Sequence, residues 1–594
     1  MAAAPRGLSC AGLVLLAQLA PAFSKTVFVS SSDGSDARGA GAESSPMASV
    51  EKAVASLAPG DAMLLKRGDF WTVTAPSGLQ LNGSKTAPAS GIFIGAYGPP
   101  HERPLLTGSA GSAATAGSRL LTATDMQGLR IEGIAFALVE NALNLVYTAP
   151  GGQYANVSVV DCHFRDVVWA NFSHRAAGSE GDIKEIYGGG NAIRLVNANR
   201  ESCQPPAAPC VPPTLSNLSI ANNLFERTDM AFTSRLARVG LPEGARMGVS
   251  TVGATVQGNL FTRCSFNVVM IDAATGFSLQ HNVFLRNKPA ETEHGSTAVP
   301  LGRPRLFGYG TTDLILGYAD ATTIVSHNDF VLRGEYEGGP DGCAIDLETD
   351  CHNLVIGPDN NFWKNVGASV NVFGHAFDGI PETSKNFTLA GNTIIQNGCE
   401  QGKPPYFAGE PPNGTYASSD VGAVSFDLPG GTGQVENNLI VKCEDPSVPL
   451  WGGDPTHQAG FALGSNDFVP AAEESSRICA LPALLWDTRV KQWPNLLASC
   501  ATAGATLRYT LDGSRPTASS PPCEWAGTLT WEILTLSVHP PSLIMFRVCL
   551  LDHTGPISPQ VAASPIARQT TGILVRAFKG GLAPSATEGY VRYV

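Results

Sequence analysis

Asp346 and Glu348 stand two apart in Ala344-Ile345-Asp346-Leu347-Glu348, a short run that alternates apolar and acidic residues. Side chains on a strand alternate between its faces, so if Ile345 and Leu347 enter a core, both carboxylates leave on the opposite, exposed face, roughly 6.8 Å apart. The same grammar recurs. Residues 267–272 send out Val268, Met270 and Asp272, residues 369–375 send out Asn371, Phe373 and His375, and residues 421–428 send out Ser425 and Asp427. Strands stacked ~4.8 Å apart would gather these groups into one column. Paired carboxylates can divide labour: crowding raises the pKa of one, which becomes a general acid, while the other serves as base or nucleophile. Two acids on one strand fall near the ~6.5–9.5 Å separation of inverting glycoside hydrolysis, and acids on neighbouring strands near the ~5–5.5 Å of the retaining kind. The expectation is that Asp346 and Glu348 form the acid/base pair with Asp272 and Asp427 in support. Asn371 and His375 would bind sugar hydroxyls, and Phe373 or Trp363 would stack on a sugar ring.

Two other readings stay open. A polysaccharide lyase would need Ca²⁺, held by Asp346, Glu348 and Asp350, and a base such as Lys364 or Arg235. A non-catalytic protein could use the same face only to bind glycans or adhere. Under hydrolysis no metal or other cofactor is called for.

Elements that could stack such strands are written into the chain. Asn-x-Phe/Ile recurs at Asn223, Asn259, Asn282, Asn328, Asn360, Asn392 and Asn438, with Asp161-Cys162-His163-Phe164 as an imperfect earlier copy. Separations of 23 and 46 residues fit a coil of about two dozen residues, within the range of solenoid repeats. Gaps of 32 and 36 imply insertions, and long ones fall at 176–190, 200–214, 288–312 and 398–420. A recurrent Asn predicts a stacked amide ladder. Composition agrees with a turn-rich all-β chain: 43% hydrophobic, 15% charged, with 64 Gly and 42 Pro among 594 residues. Ahead of the repeats, a strand at Thr26–Val29 is followed by a helical face (Val50, Ala53, Val54, Leu57) and a second strand from Ala62, which together suit a cap on one solenoid end.

This opening, Val27-Phe28-Val29-Ser30 through Gly34-Ser35-Asp36, then a helix, then Pro59-Gly60-Asp61, resembles the start of secreted proteins of the pectate-lyase-like superfamily. Gly91-Ile92-Phe93-Ile94-Gly95-Ala96-Tyr97-Gly98 continues the likeness, which extends to about residue 445. The resemblance implies a right-handed, single-stranded parallel β-helix over 25–445 and a carbohydrate-directed protein; it does not select among hydrolases, lyases and adhesins. Residues 446–480 read as a linker or loose cap. Beyond them, Tyr509-Thr510-Leu511-Asp512-Gly513-Ser514-Arg515-Pro516-Thr517 resembles the signature of the C-terminal domain of chitobiases and hexosaminidases, implying a small antiparallel β-sandwich over 481–594.

The first 24 residues read as a secretory signal: Arg6, an apolar run from Leu8 to Leu19, and small residues at Ala22-Phe23-Ser24. The run is too short for a membrane span, and no later run suits one. Twelve of 13 cysteines remain after the signal, an even number suited to disulfides; proximity suggests Cys203–Cys210, Cys343–Cys351 and Cys523–Cys549. Sequons at Asn82, Asn156, Asn171, Asn217, Asn386 and Asn413 fit the same exported route. A net charge of −12 gives no help in approaching nucleic acid or anionic membranes. The resemblance implies a polysaccharide or glycan as partner, and a monomer is the expected state.

Overall fold

The computed structural model describes residues 23–36, 41–83, 91–99, 102–109, 118–168, 190–198, 211–234, 248–265, 267–287, 312–320, 322–333, 342–349, 351–372, 384–399, 422–427, 430–487, 495–499, 501–502, 505–510, 514–520, 522 and 571–592. Their strands stack into three long parallel sheets, the arrangement of a parallel β-helix. Sheet I runs from Thr26–Val29 to Phe461–Leu463, sheet II from Phe70–Val73 to Asp467–Val469, and sheet III from Leu79–Asn82 to Trp451–Gly453. Each coil visits the sheets in the order I, II, III, and every strand pairs with its counterpart one coil away.

Register is held from inside. Phe136, Phe164, Phe225, Phe261, Phe284, Phe330 and Phe362, the aromatic positions of the repeat, form one buried stack along sheet II with ring centroids between 4.5 and 5.1 Å apart. Beside it runs the predicted amide ladder. Nδ2 of each Asn donates to Oδ1 of the next, from Asn223 through Asn259, Asn282, Asn328, Asn360, Asn392 and Asn438 to Asn466, at 2.9–3.0 Å throughout. Each Oδ1 also accepts the backbone N–H one coil back, as in Asn282 N to Asn328 at 2.9 Å. The residue before each of the seven repeat asparagines has positive φ: Asn222, Gly258, His281, His327, Asp359, Gly391 and Asn437. That left-handed residue turns the chain from sheet I into sheet II and aims the following Asn along the solenoid axis.

The helix Val50–Ala55 buries Val50, Ala53 and Val54 and packs on the first strands, as a cap must. The far boundary differs from expectation. Residues 451–469 are a full further coil rather than a linker: Trp451–Gly453 pairs with Val424–Phe426, Phe461–Leu463 with Gly433–Glu436, and Asp467–Val469 with Leu439–Val441. Its Pro and Gly content hid the periodicity, and its rung of the ladder, Asn466, sits in an Asn-x-Phe of its own.

The C-terminal region is antiparallel. Thr506–Thr510, Thr571–Phe578 and Glu588–Arg592 form one sheet and Ala483–Asp487 with Asn495–Ser499 a hairpin. It docks on the outer face of sheet II, where Leu285, Val331, Trp363, Ile395, Val441 and Val469 share one apolar cluster with Leu574 and Ala586. Arg515, from the sandwich signature, reaches across to Asp329 at 2.9 Å and Asp359 at 3.0 Å. Burial works to raise the Asp329 carboxyl, but Arg515 and Arg576 outweigh it and hold the group below the usual carboxylate range. Thr587 bonds to the same carboxylate and Arg286 pairs with Glu588 at 2.8 Å.

Cysteine chemistry also departs from the proximity guess. Cys343 and Cys351 are buried and not bridged to each other, because Cys351 Sγ turns into the core toward Leu316 O. Among the described residues a disulfide joins Cys399 to Cys443 across successive coils, 44 residues apart, about the length of the coil that separates Asn392 from Asn438. The pairs Cys203–Cys210 and Cys523–Cys549, and the leader up to residue 22, lie outside the described residues. Among the described residues no helix is long and apolar enough to cross a membrane.

Candidate active site on sheet III

Sheet III brings the predicted column together. Val269, Leu314, Ile345, Val370 and Val424 pair coil to coil, as do Leu316, Leu347, Val372 and Phe426, and all are buried in the core. Between them the outward register runs Met270, Ile315, Asp346, Asn371, Ser425. Asp346 and Asn371 are thus direct neighbours on adjacent strands, ~4.8 Å apart along the axis.

The face is not the exposed strip that strand alternation predicted. Asp346 is 3% exposed, Glu348 8%, Asp272 7% and Asn371 2%. Asn371 Oδ1 is buried and, among the described residues, makes no hydrogen bond. The strand spacing differs as well: Leu316 pairs with Leu347 but Gly317 with Thr349, so Glu348 is the extra residue of a bulge. Bulges re-aim side chains, and the separation of an unbroken i, i+2 pair does not carry over to Asp346 and Glu348.

Asp272 occupies the next outward position. Its N–H donates to Ser234 Oγ at 3.0 Å, and its carboxylate lies over Gly317, where a Cβ would fall 2.3 Å from Oδ1. Glycine at 317 is what lets this acid lean toward the strand that carries Glu348. Asp427, two strands beyond Glu348, is half-buried and accepts Ser425 Oγ at 2.9 Å. Burial pushes its carboxyl up to about 6; the Ser425 hydroxyl and nearby His457 pull the other way, and Asp454 adds to the rise. His457 was missed from the sequence because it belongs to the coil misread as a linker; its place one coil after Asp427 was the available signal.

Other predicted residues lie elsewhere. Trp363 is on sheet II, 4% exposed, inside the cluster that receives the C-terminal region, so it cannot stack on a sugar at sheet III. The neighbour covering it is protein, from the C-terminal region. Lys364 follows it at the corner and pairs with Glu474 at 3.7 Å, away from the acids, which removes it as a lyase base. Phe373, His375, Asp350 and Arg235 fall outside the described residues. Among the described residues no three His, Cys, Asp or Glu side chains gather as a metal would require. Sequence reasoning also passed over Glu226 on sheet II, fully buried, pushed up to about 7 by burial against the pull of Arg227, with His163 Nε2 3.7 Å from its Oε2.

Residues 490–588 match the family model of the chitobiase/β-hexosaminidase C-terminal domain. That match lies inside the region expected to form the sandwich and takes in Tyr509–Thr517. No curated protein sequence matches the chain. Among solved structures, the chain is similar to a GH136 lacto-N-biosidase from Eubacterium ramulus, at 16% identity and TM-score 0.49 over 75% of this chain and 68% of that one. It is also similar to an alginate lyase from a Paenibacillus species (13% identity, TM-score 0.37, 62% and 94% covered) and to a pectate lyase (12% identity, TM-score 0.33, 75% and 80% covered). The parallel registers described above carry the fold independently of these likenesses.

Proposed function

We propose that the outer face of sheet III is a glycan-cleaving site and that the protein is an exported glycoside hydrolase. The observation that carries this reading is the juxtaposition of Asp346, Glu348 and Asn371, buried on an outer face, with Asp427 at the next outward position beyond Ser425 of the same column and its carboxyl raised to about 6. Burying carboxylates on one face of a solenoid is costly, and clusters of buried acids recur at functional sites. A solenoid that needed only stability would place apolar side chains there, as sheet II does beneath the C-terminal region. The name of the family matched by residues 490–588 adds support from a separate part of the chain.

Asp427 is the group whose environment suits a general acid. It gives its proton to the glycosidic oxygen as the C1–O bond breaks. Glu348, two strands away on the same sheet, is the partner assigned as base of inverting hydrolysis, which holds its two carboxyls ~6.5–9.5 Å apart. It takes a proton from the water that attacks C1, so the acid and the base end the cycle having exchanged one proton with solvent. Asp346 and Asn371 hold the sugar hydroxyls between them, with Asp272 keeping the local potential negative.

The test is hydrolysis of a polysaccharide and oligosaccharide panel by the wild type and by Asp427→Asn, Glu348→Gln and Asp346→Asn, each checked for unaltered folding. Removing a general acid or base is expected to cost about 10²–10⁴-fold in rate. Proton NMR of the first-formed product should show the inverted anomer. Folded variants that keep full activity would end the assignment, and unsaturated products lost on chelation would replace hydrolysis by the lyase reading.

A further inference from the structure

The three faces of the solenoid have different fates. Sheet II is covered by the C-terminal region, and sheet III carries the buried acids. Sheet I faces solvent, with Val252, Ile324 and Val355 each more than a third exposed. Two sequons meet on that open face. Asn156-Val157-Ser158 and Asn217-Leu218-Ser219 lie on adjacent strands, where Ala155 pairs with Ser216 and Val157 with Leu218. Asn156 and Asn217 are therefore successive rungs; both have positive φ, which swings the side chain out of the pleat, and both are exposed. Asn217 Nδ2 donates to Asn156 Oδ1 at 3.1 Å.

We propose that these two sequons form one modification site: in a secretory compartment either Asn156 or Asn217 takes an N-linked glycan, and a folded chain never carries both. The attached atom is Nδ2 in each case, and the amides are already in hydrogen-bond contact. A pyranose ring is wider than the ~4.8 Å between rungs, so two glycan stems cannot leave side by side. Gly128 and Gly253, which carry no side chain, continue the same corner on either side.

The chain holds its own control. Asn386-Phe387-Thr388 has the same positive φ, the same exposure and the same amide contact, Nδ2 to Asn353 Oδ1 at 3.3 Å. Its rung neighbour reads Asn353-Leu354-Val355, which is not a sequon. Asn386 should therefore be modified without competition.

The experiment is expression of the full chain in a eukaryotic secretory host, with site occupancy measured by peptide mass spectrometry. Intact mass of a variant in which only the Asn156 and Asn217 sequons remain counts the glycans per chain. The expected result is high occupancy at Asn386, partial occupancy at Asn156 and Asn217, and no doubly modified chain. Ser158→Ala, which removes one sequon but keeps both amides, should raise Asn217 occupancy toward that of Asn386, and Ser219→Ala should do the same for Asn156. Folded chains carrying both glycans, occupancies that ignore the Ser variants, or two unmodified sites beside a modified Asn386 would each overturn the proposal.

Discussion

Replacing Asn328 by alanine tests whether the amide ladder holds the coils in register. The side chain is fully buried and makes five hydrogen bonds. Nδ2 donates to Leu279 O at 2.9 Å, Ser326 O at 2.9 Å and Asn360 Oδ1 at 3.0 Å, while Oδ1 accepts from Asn282 N at 2.9 Å and Asn282 Nδ2 at 3.0 Å. Several partners keep a second bond: Asn360 Oδ1 still accepts Asn328 N–H, and Asn282 Nδ2 still reaches Val256 O and Gln280 O. The Asn282 N–H does not, and a buried donor left without an acceptor costs about 1–3 kcal/mol. Adding about 1 kcal/mol each for two further bonds lost outright gives about 3–5 kcal/mol for Asn328→Ala. Asn466 is the comparison. It ends the ladder, its bonds to Asn438 are only part-buried, and water can replace much of what it supplies, so Asn466→Ala should cost about 1 kcal/mol. Urea unfolding followed by circular dichroism, with slopes compared to confirm that the same surface unfolds, measures both. Equal losses at the two positions would refute the claim that buried amide stacking, rather than the phenylalanine column alone, fixes the register.

Three further outcomes follow from the geometry. Asp427, raised to about 6 against an ordinary value near 3.8, binds its proton more tightly in the folded chain, so its favourable contribution is present at low pH and is lost as pH rises through about 6. Activity should therefore fall on the alkaline side with an apparent pKa near 6, and Asp427→Asn should raise the melting temperature at pH 7.5 but not at pH 4; the opposite order would refute the assignment. Gly317→Ala puts a Cβ 2.3 Å from the present position of Asp272 Oδ1 and must push that carboxylate aside, so turnover should drop by as much as ~10²-fold with little change in melting temperature, as read by parallel kinetics and calorimetry. Arg515→Met leaves Asp329 buried without its guanidinium partner, at a cost of about 3–5 kcal/mol, and should make the C-terminal region the first to be released in limited proteolysis.

Most of the architecture was legible because a solenoid repeats its reasons. Each Asn-x-Phe marks one corner, and the corner needs a left-handed residue, an amide for the ladder and an aromatic for the stack, all within four positions. Trp363 shows where legibility stopped. It was expected to stack on a sugar, yet an outward side chain meets solvent, substrate or another part of the chain according to contacts some 200 residues away, and here it meets the neighbourhood of Leu574. Glu348 shows a second limit, since one bulge opposite Gly317 changes where a carboxylate stands without altering the pattern that predicted the strand.

The sequence by itself determined the coil, the stacking of its strands and the column in which Asp346, Asn371 and Ser425 fall, because side-chain parity and repeat length are local and survive any arrangement of the loops. Only the tertiary structure decided that the column is buried, that Asp427 is the acid whose proton is held to about 6, that the coil carrying His457 exists, and that sheet II belongs to the C-terminal region. Burial, and with it every electrostatic consequence for those carboxylates, depends on what packs over a face, which side-chain parity does not specify.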